Sequence, residues 1–214
     1  MLMVDPASIA ISSLALAVSS VTLWWTLRRG TVKMTQPTVI CFGPDMPRPG
    51  NPSPPKVYLR SLLFATSKRG RVIECLYVTL SRNESRQNFN VWVYGGEKLV
   101  RGSGLFVGET GVEAHHHFLS PRDENGFQFT EGRYRLEVFA RLLGDAKNVR
   151  LFSQVLEISR ETAGEMRQPH AGLYFDWGPD SLSYLQHVEM RPPSPDATEK
   201  FIGLLSQAFP PKWE

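Results

Sequence analysis

The chain has 214 residues, 42% of them hydrophobic and 21% charged, with a formal net charge of +3. That length holds one domain plus one extra segment, and 12 Phe, 6 Tyr and 5 Trp supply the bulk of a core, which excludes a wholly disordered chain. The small charge excess, with both signs interspersed, lacks the basic stripe of a nucleic-acid binder, and Cys41 and Cys75 alone are too few for a disulfide scaffold or a cysteine zinc site.

Residues 7–27 carry no charge and no proline. As a helix rising about 1.5 Å per residue they reach about 31 Å, the thickness of the hydrocarbon core of a bilayer. A signal peptide needs a positive start and small residues at its cleavage site; here Asp5 is the only preceding charge, and Trp24 and Trp25 occupy that place. The run is therefore expected to stay as a single-pass transmembrane anchor. Arg28, Arg29 and Lys33 follow it and no basic side chain precedes it, while Trp24 and Trp25 mark the headgroup level at the same end. The positive-inside rule then puts the amino terminus outside and the body in the cytoplasm, at the cell (inner) membrane. Ser8, Ser12, Ala15, Ser19, Thr22 and Thr26 are spaced 4, 3, 4, 3 and 4 and so share one face. Such a stripe either lets helices associate closely in lipid or simply bonds its hydroxyls back to its own backbone.

Residues 46–55 (MPRPGNPSPP) hold five prolines in ten positions, which favours an extended segment, either a stiff spacer or a long loop inside the body. Beyond them the chain shows period-two alternation bounded by turn residues. The clearest run is 132–143, where Tyr134, Leu136, Val138, Ala140 and Leu142 share one face and Arg133, Arg135, Glu137 and Arg141 the other, with Phe139 the exception. Further strands are expected at 38–43, 56–67, 71–81, 88–94, 105–107, 112–119 and 149–158. Turn signals lie at Lys68-Arg69-Gly70, Gly95-Gly96, 102–104, 108–111 and Gly144-Asp145.

Eight short strands with no helical pattern between them predict an antiparallel sandwich or barrel. Gly132-x-Tyr134-x-Leu136 resembles the tyrosine-corner segment of immunoglobulin-like domains, with Leu136 where antibody domains carry their second cysteine. The resemblance implies that Cys75 and Trp92 stand near the first cysteine and the core tryptophan, and that no inter-sheet disulfide forms, which suits a reducing compartment. Cys75 is expected to be a core thiol. The expected layout is mainly β: a transmembrane helix (1–30), an extended Pro-rich linker and first strand (31–55), an immunoglobulin-like β-sandwich (56–159), and a tail (160–214). In that tail 160–167 reads as one or two helical turns and 169–191 as irregular and aromatic-rich. Residues 196–209 have amphipathic helical spacing, with Phe201, Leu204, Leu205 and Ala208 on one side.

Two clusters stand out. His115 and His117, two apart on a strand, converge on one face and offer two metal ligands, with His170, His187, Asp176 or Asp180 as a third; His116 points away. Neither HExxH nor CxxC spacing occurs, so no metal or other cofactor is assigned. The second cluster is AGLYFDWGPD (171–180), where Tyr174, Phe175 and Trp177 surround Asp176 and precede Asp180; it reads as a partner or ligand site, or as aromatics laid over an open sandwich face. Lys68, Arg69, Arg71, Arg82 and Arg86, with Arg28, Arg29 and Lys33, offer a basic surface for anionic headgroups. Asn83-Glu84-Ser85 matches a glycosylation acceptor, which has no meaning for a cytosolic body. No G-x-S-x-G elbow, P-loop, kinase or dinucleotide signature is present. The expected function is a non-enzymatic, membrane-anchored binding or adaptor module partnered by the bilayer and a protein, without nucleic acid. A self-associating membrane effector of the bacterial defence or toxin kind, and a metal-dependent hydrolase using His115 and His117, are the alternatives.

Overall fold

The computed structural model describes residues 5–27, 30–45, 54–95, 99–120, 127–168 and 170–190. Helix α1 (Pro6–Leu27) begins where chemistry favours it. Pro6 takes the first helical position, where a missing N–H costs nothing, and Asp5 Oδ1 accepts the Ala7 N–H at 3.1 Å as the cap. The helix is long and apolar enough to cross a membrane, with none of its apolar stretch buried by the rest of the chain. Arg28, Arg29 and the side chain of Trp25 lie outside the described residues, as does the amphipathic segment 196–209.

The body is mainly β and consists of two antiparallel sheets facing each other. The larger contains β1 (Val32–Met34), β2 (Val39–Pro44), β3 (Pro55–Ala65), β6 (Val91–Gly95), β7 (Leu99–Arg101), β9 (Val112–Leu119), β12 (Ala171–Gly178) and β13 (Ser183–Met190). Its order is β13-β12-β2-β3-β9-β6-β7, with β1 pairing β3 beyond β2. The smaller runs β11 (Val149–Ile158), β10 (Gly132–Leu142), β4 (Arg71–Arg82), β5 (Ser85–Phe89), with β8 (Leu105–Val107) also on β4. The inner faces bury Ile40, Phe42, Leu59, Phe118 and Phe175 from one sheet against Val78, Leu80, Leu136, Val138 and Leu156 from the other. Strand β10 alternates as its sequence predicts, and the exceptional Phe139 stacks on Tyr77 outside the smaller sheet, ring centroids 5.2 Å apart.

Several expectations are corrected. The aromatic segment 169–191 is not irregular: β12 and β13 form a hairpin added to β2, with Leu173 opposite Phe42 and Phe175 opposite Ile40. The body therefore continues past residue 159. The single strand expected at 88–94 breaks at Asn90, so that β5 serves the smaller sheet and β6 the larger. The turns at 68–70, 102–104 and 108–111 are crossings between the sheets. Gly102, whose N–H bonds the Trp92 carbonyl at 2.9 Å, is needed there because a Cβ would run into the Trp92 ring at Cε3. The proline-rich 46–53 lie outside the described residues, but their flanks pair, Pro44 with Pro55, so they join two adjacent strands rather than separate α1 from the body.

Cys75 is exposed, not a core thiol. The β4–β10 register shifts at Arg141/Leu142, which face Cys75 and Ile73; the extra residue turns both Glu74 and Cys75 outward and moves the inward set to Leu76, Val78 and Leu80. Strands β4 and β10 are also neighbours in one sheet, Leu136 opposite Leu80, so Cys75 and Leu136 do not stand as the two cysteines of an inter-sheet pair. Trp92 is buried, but on β6 of the larger sheet rather than on β4.

Candidate functional site

The two clusters picked out in the sequence meet on one surface, the outer face of the larger sheet. Antiparallel partners share a face, and one transverse row reads His187, Tyr174, Cys41, Tyr58, His117, Val93 across six strands. The adjacent row carries Asp176, Val39, Arg60 and His115. Rings touch along the first row: Tyr174 stacks on His187 at 5.3 Å and Tyr58 lies 4.9 Å from His117. Tyr58 Oη is 2.6 Å from His115 Nδ1. Within the row Cys41 and Tyr174 are buried, while Tyr58 and His117 are half-buried and His187 exposed. Charges frame it: Arg60 bonds Glu113 through Nε at 2.7 Å and through Nη2, and Lys56 pairs with Asp45 at 3.1 Å.

His115 and His117 thus share one face, but the group that meets His115 Nδ1 is the Tyr58 phenol, whose ring also packs on His117. The proposed third ligands Asp176 and His187 stand elsewhere, two and three strands beyond Tyr58: His187 Nδ1 lies 3.3 Å from Asp176 Oδ2 and its Nε2 3.3 Å from Glu189. Among the described residues no group of three or more His, Cys, Asp or Glu side chains is placed to hold a metal ion. His116 points away, into the core, where Trp92 Nε1 donates to its Nδ1 at 3.2 Å. An indole N–H only donates, so the imidazole proton sits on Nε2, which has no partner. Burial, helped by repulsion from His117 and His115, pulls the His116 pKa down from 6.5 to about 4.

The 171–180 cluster is divided by its strand. Phe175 is a core residue and Trp177 packs edge-on against Tyr184 at 5.1 Å, both on the inner side, whereas Tyr174 and Asp176 face outward; Asp180 lies in the exposed turn. These five residues form no single patch. Sequence reasoning missed Tyr58 and Cys41, which join the clusters, because a cross-strand neighbour has no fixed sequence spacing. The hairpin is pinned at its other side by Tyr184, whose hydroxyl donates to the Pro37 carbonyl at 2.7 Å and accepts from Gln36 at 3.0 Å; burial pushes its pKa up, against the Gln36 bond. Its outer edge is open: β13 pairs with β12 alone among the described residues, and none of its eight residues is buried.

A cleft of about 1080 Å³ opens at the end of the sandwich remote from α1. Phe127, Phe129 and Met166 line it beside Arg82 and Arg160, in front of α2 (Arg160–Glu165). Those arginines are engaged: Arg82 bonds Thr130 and the Glu131 carbonyl, and Arg160 bonds Glu131 at 3.2 Å. In α1, Ser8, Ser12, Ala15, Ser19, Thr22 and Trp24 are all exposed, and Thr22 Oγ1 donates to the Val18 carbonyl at 2.8 Å.

No family model matches the chain, and no curated protein matches it. Among solved structures it is similar to the CooA pilin subunit from enterotoxigenic Escherichia coli, at 13% identity over 59% of this chain and 97% of that one, with a TM-score of 0.28. A likeness at that level carries no argument about fold or function.

Proposed function

We propose that the protein is a single-pass membrane protein whose cytoplasmic body is a binding module without chemistry of its own. An exposed apolar helix of 22 residues supports the anchor, because that much unburied hydrocarbon is stable only in lipid or against another protein. We infer that the sandwich is immunoglobulin-like. Strands β1/β2, β3, β9 and β6 follow the A, B, E, D order of one sheet of that fold, and β11, β10, β4 the G, F, C order of the other. The Tyr134 hydroxyl also accepts the Thr130 N–H and donates to the Thr130 carbonyl, both at 3.0 Å, as a tyrosine corner does. The β12–β13 hairpin is an addition on the A-strand side.

The observation that carries the function is the open β13 edge. It offers backbone donors and acceptors beside exposed Leu182, Leu185 and Met190, the arrangement that takes up an extended segment of a protein partner by strand addition. A photoactivatable residue at Leu185 of the membrane-bound chain is expected to crosslink to one discrete partner, and Leu182→Lys with Met190→Lys to abolish the adduct. A probe at Val155 on β11 serves as the control, and equal crosslinking there would refute the edge as the site. The second reading, self-association through the Ser8, Ser12, Ala15, Ser19, Thr22 stripe, rests on the exposure of those residues along one helical face.

A further inference from the structure

The basic residues flagged in the sequence separate in space. Arg82 and Arg86 lie at the far end of β4, and Arg71 turns inward to Asp145 at 2.8 Å, while Lys68 and Arg69 sit exposed in the β3–β4 crossing. That crossing holds the chain as it leaves the anchor. Arg71 Nη1 donates to the Gly30 carbonyl at 2.8 Å, Thr31 N to Thr66 Oγ1 at 2.9 Å, and Thr66 N to the Thr31 carbonyl at 2.9 Å. Gly30 itself packs so closely on Ser67 that a Cβ would lie 2.7 Å from its Cβ. Helix α1 ends at Leu27, so two residues, at most about 11 Å of chain, separate it from Gly30 at this end of the sandwich. That is about one Debye length at physiological salt.

Two large apolar side chains are exposed at the same end. Phe106 is 60% and Leu143 58% exposed, and neither contributes to the core. Gly70, with φ at 66°, brings the crossing under the Phe106 ring, where any Cβ would meet Cζ at 2.5 Å. Leu143 is fixed by its N–H to the Val72 carbonyl at 2.9 Å and by Arg71 Nη2 on its own carbonyl at 3.3 Å. At this end Lys33, Lys68, Arg69 and Lys147 are exposed, against exposed Glu109 and Glu74, the latter paired with Arg141 at 3.4 Å. Exposed apolar tips at an end where basic side chains outnumber acids, tethered at a bilayer's edge, match a leaflet with anionic headgroups.

We propose that this end of the sandwich docks on anionic phospholipid headgroups beside the anchor, Lys68, Arg69, Lys33 and Lys147 meeting phosphates while Phe106 and Leu143 enter the interface. The docking fixes the body upright on the membrane, and it rests on the reading of α1 as a transmembrane anchor. The test uses the full chain with Leu143→Cys in a Cys75→Ser background, in nanodiscs of phosphatidylcholine or of a phosphatidylglycerol-rich mixture. The rate of labelling by a water-soluble maleimide is expected to fall at least about tenfold in the anionic discs, since each basic side chain near the surface favours docking by up to about fivefold. Lys68→Glu with Arg69→Glu, or high salt, is expected to restore it. Equal rates in both lipids overturn the docking and leave the anchor intact. A chain that alkaline carbonate strips from vesicles overturns both.

Discussion

His116 occupies a core position that tolerates only its neutral form. In the unfolded chain an imidazole takes a proton as pH drops through 6.5; in the native chain burial holds it off until about 4. Between those values the unfolded state binds a proton that the native state refuses, so stability falls as the medium is acidified and levels off below about pH 4. The loss approaches about 3 kcal/mol at the acid end and is absent above pH 7. Urea unfolding of the full chain in neutral detergent, followed by tryptophan fluorescence at pH 7.5 and 4.5, is expected to show this drop in midpoint. His116→Gln keeps an acceptor for Trp92, and the drop should shrink while the pH 7.5 midpoint falls through poorer packing. An unchanged pH dependence would mean that another group carries the acid sensitivity. Burial assigns the role here, since His115 and His117 have the same side chain one residue away and face outward.

At the scale of the element, the corner before β10 has a specific energetic role. Tyr134 closes a ring on Thr130 through both backbone groups while its ring is buried against Phe42, centroids 6.4 Å apart. Tyr134→Phe keeps that packing and strands a half-buried N–H, which costs about 1–3 kcal/mol. We expect a lower urea midpoint by that amount with an unchanged far-ultraviolet spectrum; a neutral substitution would show that the corner is decorative. Such strands were legible because β10 is flanked on both sides in its sheet, with one face in the core and one in water, so Tyr134, Leu136 and Val138 alternate cleanly with Arg133, Arg135 and Glu137. The β12–β13 hairpin was not. Both faces of β12 carry large side chains, Phe175 inward and Tyr174 outward, and the edge strand β13 has little buried surface to impose a period. Cys75 was misread for a third reason, a bulge that shifts the register without any mark in the sequence. In the candidate surface His115, His117, Tyr174 and Asp176 were visible from their neighbours along the chain. Tyr58 joined them only once pairing across strands was known.

For the whole molecule the question is whether α1 carries a body that works alone or gathers several. Small residues along 8, 12, 15, 19 and 22 permit close approach, but lipid offers no hydrophobic drive for helices to associate, so a stripe must supply contacts or hydrogen bonds of its own. Thr22 already spends its hydroxyl on the Val18 carbonyl one turn back. The body meanwhile holds the exit from α1 at Gly30 through Arg71, and its open β13 edge lies in a different strand position from that exit. Both features suit a single copy that presents its edge to another protein. Native mass spectrometry of the full chain released from detergent is accordingly expected to give a monomer, with Ser12→Leu and Ser19→Leu leaving its mass unchanged. A closed oligomer that those two substitutions dissociate would overturn the proposed role of the β13 edge in favour of the helix and of an effector that acts by assembling in the membrane.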